Sequence, residues 1–415
     1  MTDNRSDVDV LRKLAGEYAQ AAAQPIQQER RRLWKANNGL EPTRPLVLTR
    51  FGMWNVWCRE TFGEHTLQCR DEFYRRHERA LRMMLFHQAV GDDSVFEPWY
   101  DLPAAVSLGW DDLWGVRTEL HKNVDEGSGL FDPPIKEWSD LAKLVAPVHR
   151  IDEAATAGSH ERLEAAFGDI LPINVKRGPV CQGFMADIST CLARLRGLQQ
   201  IMIDMYESPA ELKKLLAFMR DGVLANQRQA EKAGDFGLTD QVNQSVCYAK
   251  ELEAPQPNTH HVSRKAMWTH MAAQEFTLIS PAMHEEFLLN YQMPIMAQFG
   301  LVSYGCCEDL TRKIDMLRKI PNLRIIAVTP VADVKRCAEQ IGTDYVISWR
   351  PNPTDVISCG WDEGRIRRII RHGLECMQGQ HVQIQLKDVE TVEGDPTRMA
   401  RWASLVRQEI DSAWK

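Results

Sequence analysis

Apolar positions along the chain follow two rhythms. Over residues 8–37, Leu11, Leu14, Ala15 and Tyr18 recur at helical spacing. That segment closes on the charged run Gln28-Glu29-Arg30-Arg31-Arg32, which reads as a solvated helix face. Arg44-Pro45 then opens the apolar run 46–51, the start of a buried strand. Residues 70–90 form a second amphipathic helix, and 94–98 a short strand. The stretch 104–150 is irregular and rich in Trp, Gly and Pro, the composition of a lid or binding excursion. A helix over 151–168, a strand over 171–175 and further helix over 190–233 follow.

From residue 276 the pattern becomes regular. Apolar runs at 301–305, 323–328, 344–348 and 381–386 alternate with helical patterns at 308–319, 331–340, 362–377 and 395–414. Ser280-Pro281 places an N-cap and a first-turn proline at the head of a helix reaching Phe299. Short links between strand and helix predict parallel strands with right-handed crossovers. The expected fold is therefore an α/β (β/α)8 TIM barrel over 41–415, preceded by a helical extension over 1–40. A doubly wound open sheet is the alternative, but no Gly-rich dinucleotide loop follows an early strand.

Lys plus Arg number 50 against 57 Asp plus Glu, so no basic excess exists to neutralise nucleic-acid phosphates. No apolar run is long enough for a transmembrane helix, and the polar, acidic start does not resemble a signal peptide. The expectation is a cytoplasmic protein able to pair as a homodimer, with its ten cysteines serving as thiols.

Barrel function sits at the carboxyl ends of strands. Those ends present Trp54, Glu97-Pro98-Trp99, Cys306-Cys307-Glu308, Arg350 with Asn352, and Lys387-Asp388. Two adjacent thiols at a strand exit, opening a helix, predict at least one lowered thiol pKa, because a helix N-terminus favours negative charge. Thiolates ligate zinc or attack electrophiles. Cys306 and Cys307 are therefore candidate metal ligands, joined by Cys247 and by His260 from the following loop. Glu308, Lys387 and Glu97 are the candidate catalytic groups. Arg350, Trp54, Trp99 and Asn352 are the candidate substrate contacts, with the guanidinium suited to a carboxylate or phosphate.

The segments 276–287, Tyr304-Gly305-Cys306-Cys307-Glu308-Asp309-Leu310, 342–346 and 386–392 resemble the uroporphyrinogen decarboxylase-like superfamily, in a branch shared with corrinoid-dependent methyltransferases. The resemblance implies a (β/α)8 barrel and one of two chemistries. One is metal-free decarboxylation of a pyrrolic or aromatic acid. The other is zinc-assisted methyl transfer between a small methylated substrate or thiol and a corrinoid (cobalamin) carried by a partner protein. The methyltransferase branch carries a His-x-Cys pattern where this chain has Tyr304-Gly305-Cys306. The branch's later Cys falls near Lys387-Asp388, where this chain has none. Methyl transfer is the leading expectation, followed by a decarboxylase and then by a non-catalytic tetrapyrrole- or corrinoid-binding barrel.

Overall fold

Six short, almost wholly buried strands lie side by side in parallel at the centre of the chain. The structure, a computed structural model, describes residues 5–50, 56–109, 111–122 and 129–414. In chain order the strands are β1 (Leu46–Thr49), β2 (Tyr100–Pro103), β3 (Glu119–Lys122), β4 (Gly129–Asp132), β5 (Ile173–Lys176), β6 (Trp268–Met271), β7 (Leu301–Tyr304), β8 (Leu323–Val328), β9 (Val346–Trp349) and β10 (His381–Leu386). The large sheet has the order β1-β10-β9-β8-β7-β6 and every pair in it is parallel. β2 and β5 form a separate parallel pair. β3 and β4 form an antiparallel hairpin within the 104–150 excursion. The fold is thus α/β around a six-stranded parallel sheet. Helices cover its faces, so its strands bury both sides, as parallel sheets do.

Alternation along these strands stacks their inward side chains in layers. Trp268, Leu301, Ile325 and Val346 form one apolar layer near the amino ends of their strands. One step further along each strand the register aligns His270 with Ser303, Ala327 with Ser348, and Ser348 with Gln383. This second layer is small or polar, and the strand exits lie beyond it.

The connections refine the sequence reading. The expected helix over 8–37 is two helices, Arg5–Ala22 and Ile26–Asn38, because Pro25 interrupts it. Its charged run is not a uniformly solvated face. Arg30 is buried and donates to the Ser94 carbonyl, and Arg31 pairs with Glu97. The expected helix over 190–233 is three, broken at Gly197 (φ +86°) and Ser208. The expected strand at 94–98 is irregular chain, and the strand begins two residues later at Tyr100. The reason is local. Asp92 and Asp93 accept hydrogen bonds from the backbone N–H groups of Thr49 and Val47, so side chains bind the flank of β1 there. The helix expected over 308–319 is reduced to Ile314–Leu317, since Glu308 and Asp309 turn their carboxylates back onto nearby backbone N–H groups. In the second half, Ser280, Asp333 and Asp362 cap their helices through their side chains.

No described helix is long and apolar enough to cross a membrane.

Candidate active site at the carboxyl ends of β7, β9 and β10

The chain leaves β7 through Gly305, whose φ is +101°. A Cβ at this position would lie 2.9 Å from Ala327 Cβ and 2.7 Å from Leu310 Cδ1, so only glycine makes this turn. The turn delivers Cys306 to a point fixed by Glu308. That buried carboxylate accepts from the Cys306 N–H at 2.8 Å and from the Ala273 N–H at 2.7 Å. It therefore ties the exit of β7 to the exit of β6.

Cys306 is buried and Cys307 is exposed, and their sulfurs are 3.5 Å apart. Lys387, just past β10, sets its Nζ 3.2 Å from Cys306 Sγ and 3.9 Å from Cys307 Sγ. The same ammonium is 3.1 Å from Asp388 Oδ2, which lies 3.9 Å from Cys307 Sγ. Arg350, buried past β9, donates to the carbonyls of Cys306 and Gly305 and to Gln244 Oε1. Together these hold the Cys306 thiol at about 5. The Cys307 S–H···S hydrogen bond contributes most, against a desolvation penalty, and the charges of Lys387 and Arg350 add to it. Cys307, the proton donor of the pair, is pushed well above the ordinary thiol range. The expected helix N-terminus plays no part, since the helix starts only at Ile314.

Below this cluster lies His270, which reasoning from the sequence missed. It is fully buried, with Nδ1 3.0 Å from Ser303 Oγ and no partner for Nε2. Burial, reinforced by the charges of Arg350, Lys387 and Arg50, keeps its ring neutral. The signal for it was the polar pair within the run Trp268-Thr269-His270-Met271, a short strand whose alternation turns His270 toward the polar inner layer and Thr269 to the opposite face. Gln244 was also missed, because it sits on irregular chain with no motif of its own.

The other sequence candidates fall elsewhere. Glu97 and Trp99 precede β2 rather than ending a strand. Glu97 accepts from Arg31 at 2.8 Å and from the Tyr248 hydroxyl at 2.7 Å, and Trp99 donates to Asp101. Cys247 shares a separate cavity of about 440 Å³ with both. Its thiol donates to the Gln241 carbonyl and burial pushes it up to about 12, the behaviour of an inert core thiol. His260 is exposed on its loop. Asn352 uses its side-chain oxygen to accept from the Thr354 N–H, closing a turn. Trp54 lies outside the described residues. Of the candidates, then, the structure gathers Cys306, Cys307, Glu308, Arg350 and Lys387.

A zinc ion of the kind implied by the family resemblance does not fit this donor set. Catalytic zinc takes three protein ligands and an open position. Among the described residues, no three His, Cys, Asp or Glu side chains are arranged to hold a metal ion. The cation between Cys306, Cys307 and Asp388 is already present as the Lys387 ammonium. Tyr304, at the His position of the pattern, points away from the site. It is fully buried, donates to Gln292 Oε1 at 2.7 Å and lies 3.0 Å from His284 Nε2, beneath the helices.

No protein-family model and no curated protein sequence matches the chain. Its fold is similar to that of a methyltransferase from Methanosarcina mazei, with a TM-score of 0.55 and 13% identity. The likeness covers 91% of this chain and 98% of that one.

Proposed function

We propose that this chain is a methyltransferase on a (β/α)8 barrel, in which the Cys306 thiolate accepts the methyl group without zinc. In this reading the eight parallel strands β1, β2 and β5–β10 are the barrel, with β2 and β5 set between the outer edges of β1 and β6. The fold likeness to a methyltransferase supports the reaction class, and the resemblance in the tail supports it independently. The single observation that carries the mechanism is the Cys306 sulfur at the β7 exit, 3.2 Å from the Lys387 ammonium nitrogen. A thiol held at about 5 is ionised throughout the neutral range, and thiolate is the reactive form.

The sulfur lone pair forms the new S–C bond as the bond between the methyl carbon and its donor breaks, with that electron pair leaving on the donor. Lys387 and Arg350 hold the sulfur ionised beforehand. Glu308 is a positioning residue, since it acts on the Cys306 backbone. The counterpart implied by the resemblance is a corrinoid presented by a partner protein at this face.

The test is incubation of the protein with methylcobalamin followed by peptide mass spectrometry. A single added methyl group on Cys306, absent from Cys306→Ser, is expected. A wild-type protein that alkylates readily with iodoacetamide at Cys306 but takes no methyl group would refute the reading.

A further inference from the structure

The two thiols at the β7 exit can also react with each other, a chemistry that methyl transfer does not use. Cys306 and Cys307 are neighbours in the chain, and their sulfurs lie 3.5 Å apart. Groups held within about 3–3.5 Å are at the distance from which a bond can form between them. Glu308 fixes Cys306 through its backbone N–H, whereas Cys307 is exposed. One sulfur is thus anchored in a sheltered place, and the other meets solvent directly above it. A thiolate with a second thiol in reach is the arrangement that oxidants convert reversibly.

The charges around the pair favour one order of events. Lys387 Nζ lies 3.2 Å from Cys306 Sγ and 3.9 Å from Cys307 Sγ. In the reduced pair the negative charge sits on Cys306, and that sulfur keeps the proton on Cys307 by hydrogen bond and by charge. Adding oxygen to Cys306 removes its charge. The main cause holding the Cys307 proton then disappears, while the ammonium stays in place to favour a thiolate there. The Asp388 carboxylate, 3.9 Å from Cys307 Sγ, is placed to receive the proton.

We propose that Cys306 and Cys307 form an oxidative modification site that reduces a hydroperoxide and closes into a reversible disulfide between adjacent residues. The Cys306 sulfur forms a bond to one peroxide oxygen as the O–O bond breaks. The other oxygen leaves with the electron pair and takes a proton from solvent, and Cys306 becomes a sulfenic acid. Cys307 then yields its proton to Asp388. Its sulfur lone pair forms the S–S bond as the S–O bond of the sulfenic acid breaks, and the departing hydroxide takes that proton as water. The two cysteines lose two electrons and the peroxide gains them. Adjacent Cα atoms across a trans peptide stand about 3.8 Å apart, below the usual disulfide span of roughly 4.4–6.8 Å. The closed ring is therefore strained, and a small dithiol reopens it. No methyl group enters either step, so the assignment stands apart from the methyl-transfer reading.

The experiment treats the reduced full chain with equimolar hydrogen peroxide, alkylates the remaining thiols with iodoacetamide and maps tryptic peptides by mass spectrometry. The peptide 266–312 holds these two cysteines and no other. After peroxide it is expected to be lighter by two hydrogen atoms, with no alkyl group on either cysteine. Dithiothreitol returns both to full alkylation. In Cys307→Ser the reaction stops at the sulfenic acid, and dimedone traps it on Cys306 at least about ten-fold more than in wild type. Cys306→Ser leaves Cys307 open to alkylation after the same treatment. A wild-type peptide that still alkylates at both cysteines, or that ends as a Cys306 sulfinic acid without the disulfide, would overturn the proposal. Equal dimedone trapping in wild type and Cys307→Ser would overturn the role of Cys307. Methylation of Cys306 is tested on reduced protein, so its failure leaves these outcomes unchanged.

Discussion

Replacing Lys387 with methionine removes the ammonium beside Cys306 and keeps a side chain of similar length. The Nζ–Sγ distance of 3.2 Å sets the scale of the effect. Coulomb attraction at that separation is about 1 kcal/mol in water and about 5 kcal/mol at an effective dielectric of roughly 20. Lys387 is 13% exposed, which places the site between these limits. An intermediate value of about 3 kcal/mol corresponds to about 2 pKa units. The Cys307 hydrogen bond and the Arg350 charge survive in the variant, so the thiol does not return to its ordinary value. From a wild-type value of about 5, the Cys306 thiol moves to about 7 in Lys387→Met. The assay is the rate of iodoacetamide alkylation at Cys306 against pH, read by peptide mass spectrometry. Two changes are expected together. The inflection shifts up by about two units, and the high-pH plateau rises about eight-fold, because a more basic thiolate is intrinsically more nucleophilic. The two curves therefore cross near about pH 6, with the variant about ten-fold slower at pH 4. Lys387→Arg restores the wild-type inflection. An inflection that stays near 5 in Lys387→Met, or a plateau that does not rise, would show that Lys387 does not govern the thiolate.

Two further outcomes follow from buried groups around the site. Asp92 is buried and burial opposes its ionisation, yet His87 and the two 2.6 Å hydrogen bonds from Thr49 hold its carboxyl down at about 2. A carboxyl depressed on folding adds stability that is complete above its unfolded value and is lost as pH falls through the folded one. Asp92→Asn should thus lose about 2 kcal/mol at neutral pH and flatten the stability profile between about pH 4 and pH 2; an unchanged slope in urea melts across that window would contradict this. Tyr304→His restores the His-x-Cys pattern but on the helix-facing side. Metal analysis should find no zinc gained, and denaturation should show a loss of about 1–3 kcal/mol from the stranded Gln292 and His284 partners; one zinc per chain in this variant would overturn the orientation of residue 304.

The second half of the fold was legible because each signal there is local. The runs at 323–328 and 381–386 are the observed strands, and Ser280 caps the helix it was expected to cap. The first half was less legible because its determinants are non-local. Val95 and Phe96 look like a strand, but whether backbone pairs there depends on where the Asp92 and Asp93 carboxylates go. β6 escaped notice because its polar Thr269 and His270 break an apolar run, and only the layer across the sheet explains His270. The site divides in the same way. The strand-exit rule found Cys306, Arg350 and Lys387, since each follows a strand that could be read. It misplaced Glu97 and Trp99 because β2 had been set too early, and it attached Cys247 and His260 by residue type alone.

The departures at Tyr304 and at Lys387 are physically connected. A metal site needs donors pointing inward and a vacant centre between them. Gly305 turns the chain so that residue 304 faces the helices while Cys306 reaches the strand exits beside Lys387. A histidine at 304 would have no approach to the thiols from there. At the other side, the residue after β10 contributes a cation in place of a ligand, and that cation contacts Cys306, Cys307 and Asp388 together. A tethered ammonium neutralises the same charge that a metal would, without an association step and without Lewis acidity. On the reading proposed above, the chemistry left to the site is that of the sulfur itself. What sets its reactivity is the Cys307 proton first and then the Lys387 charge, both of which single substitutions can remove.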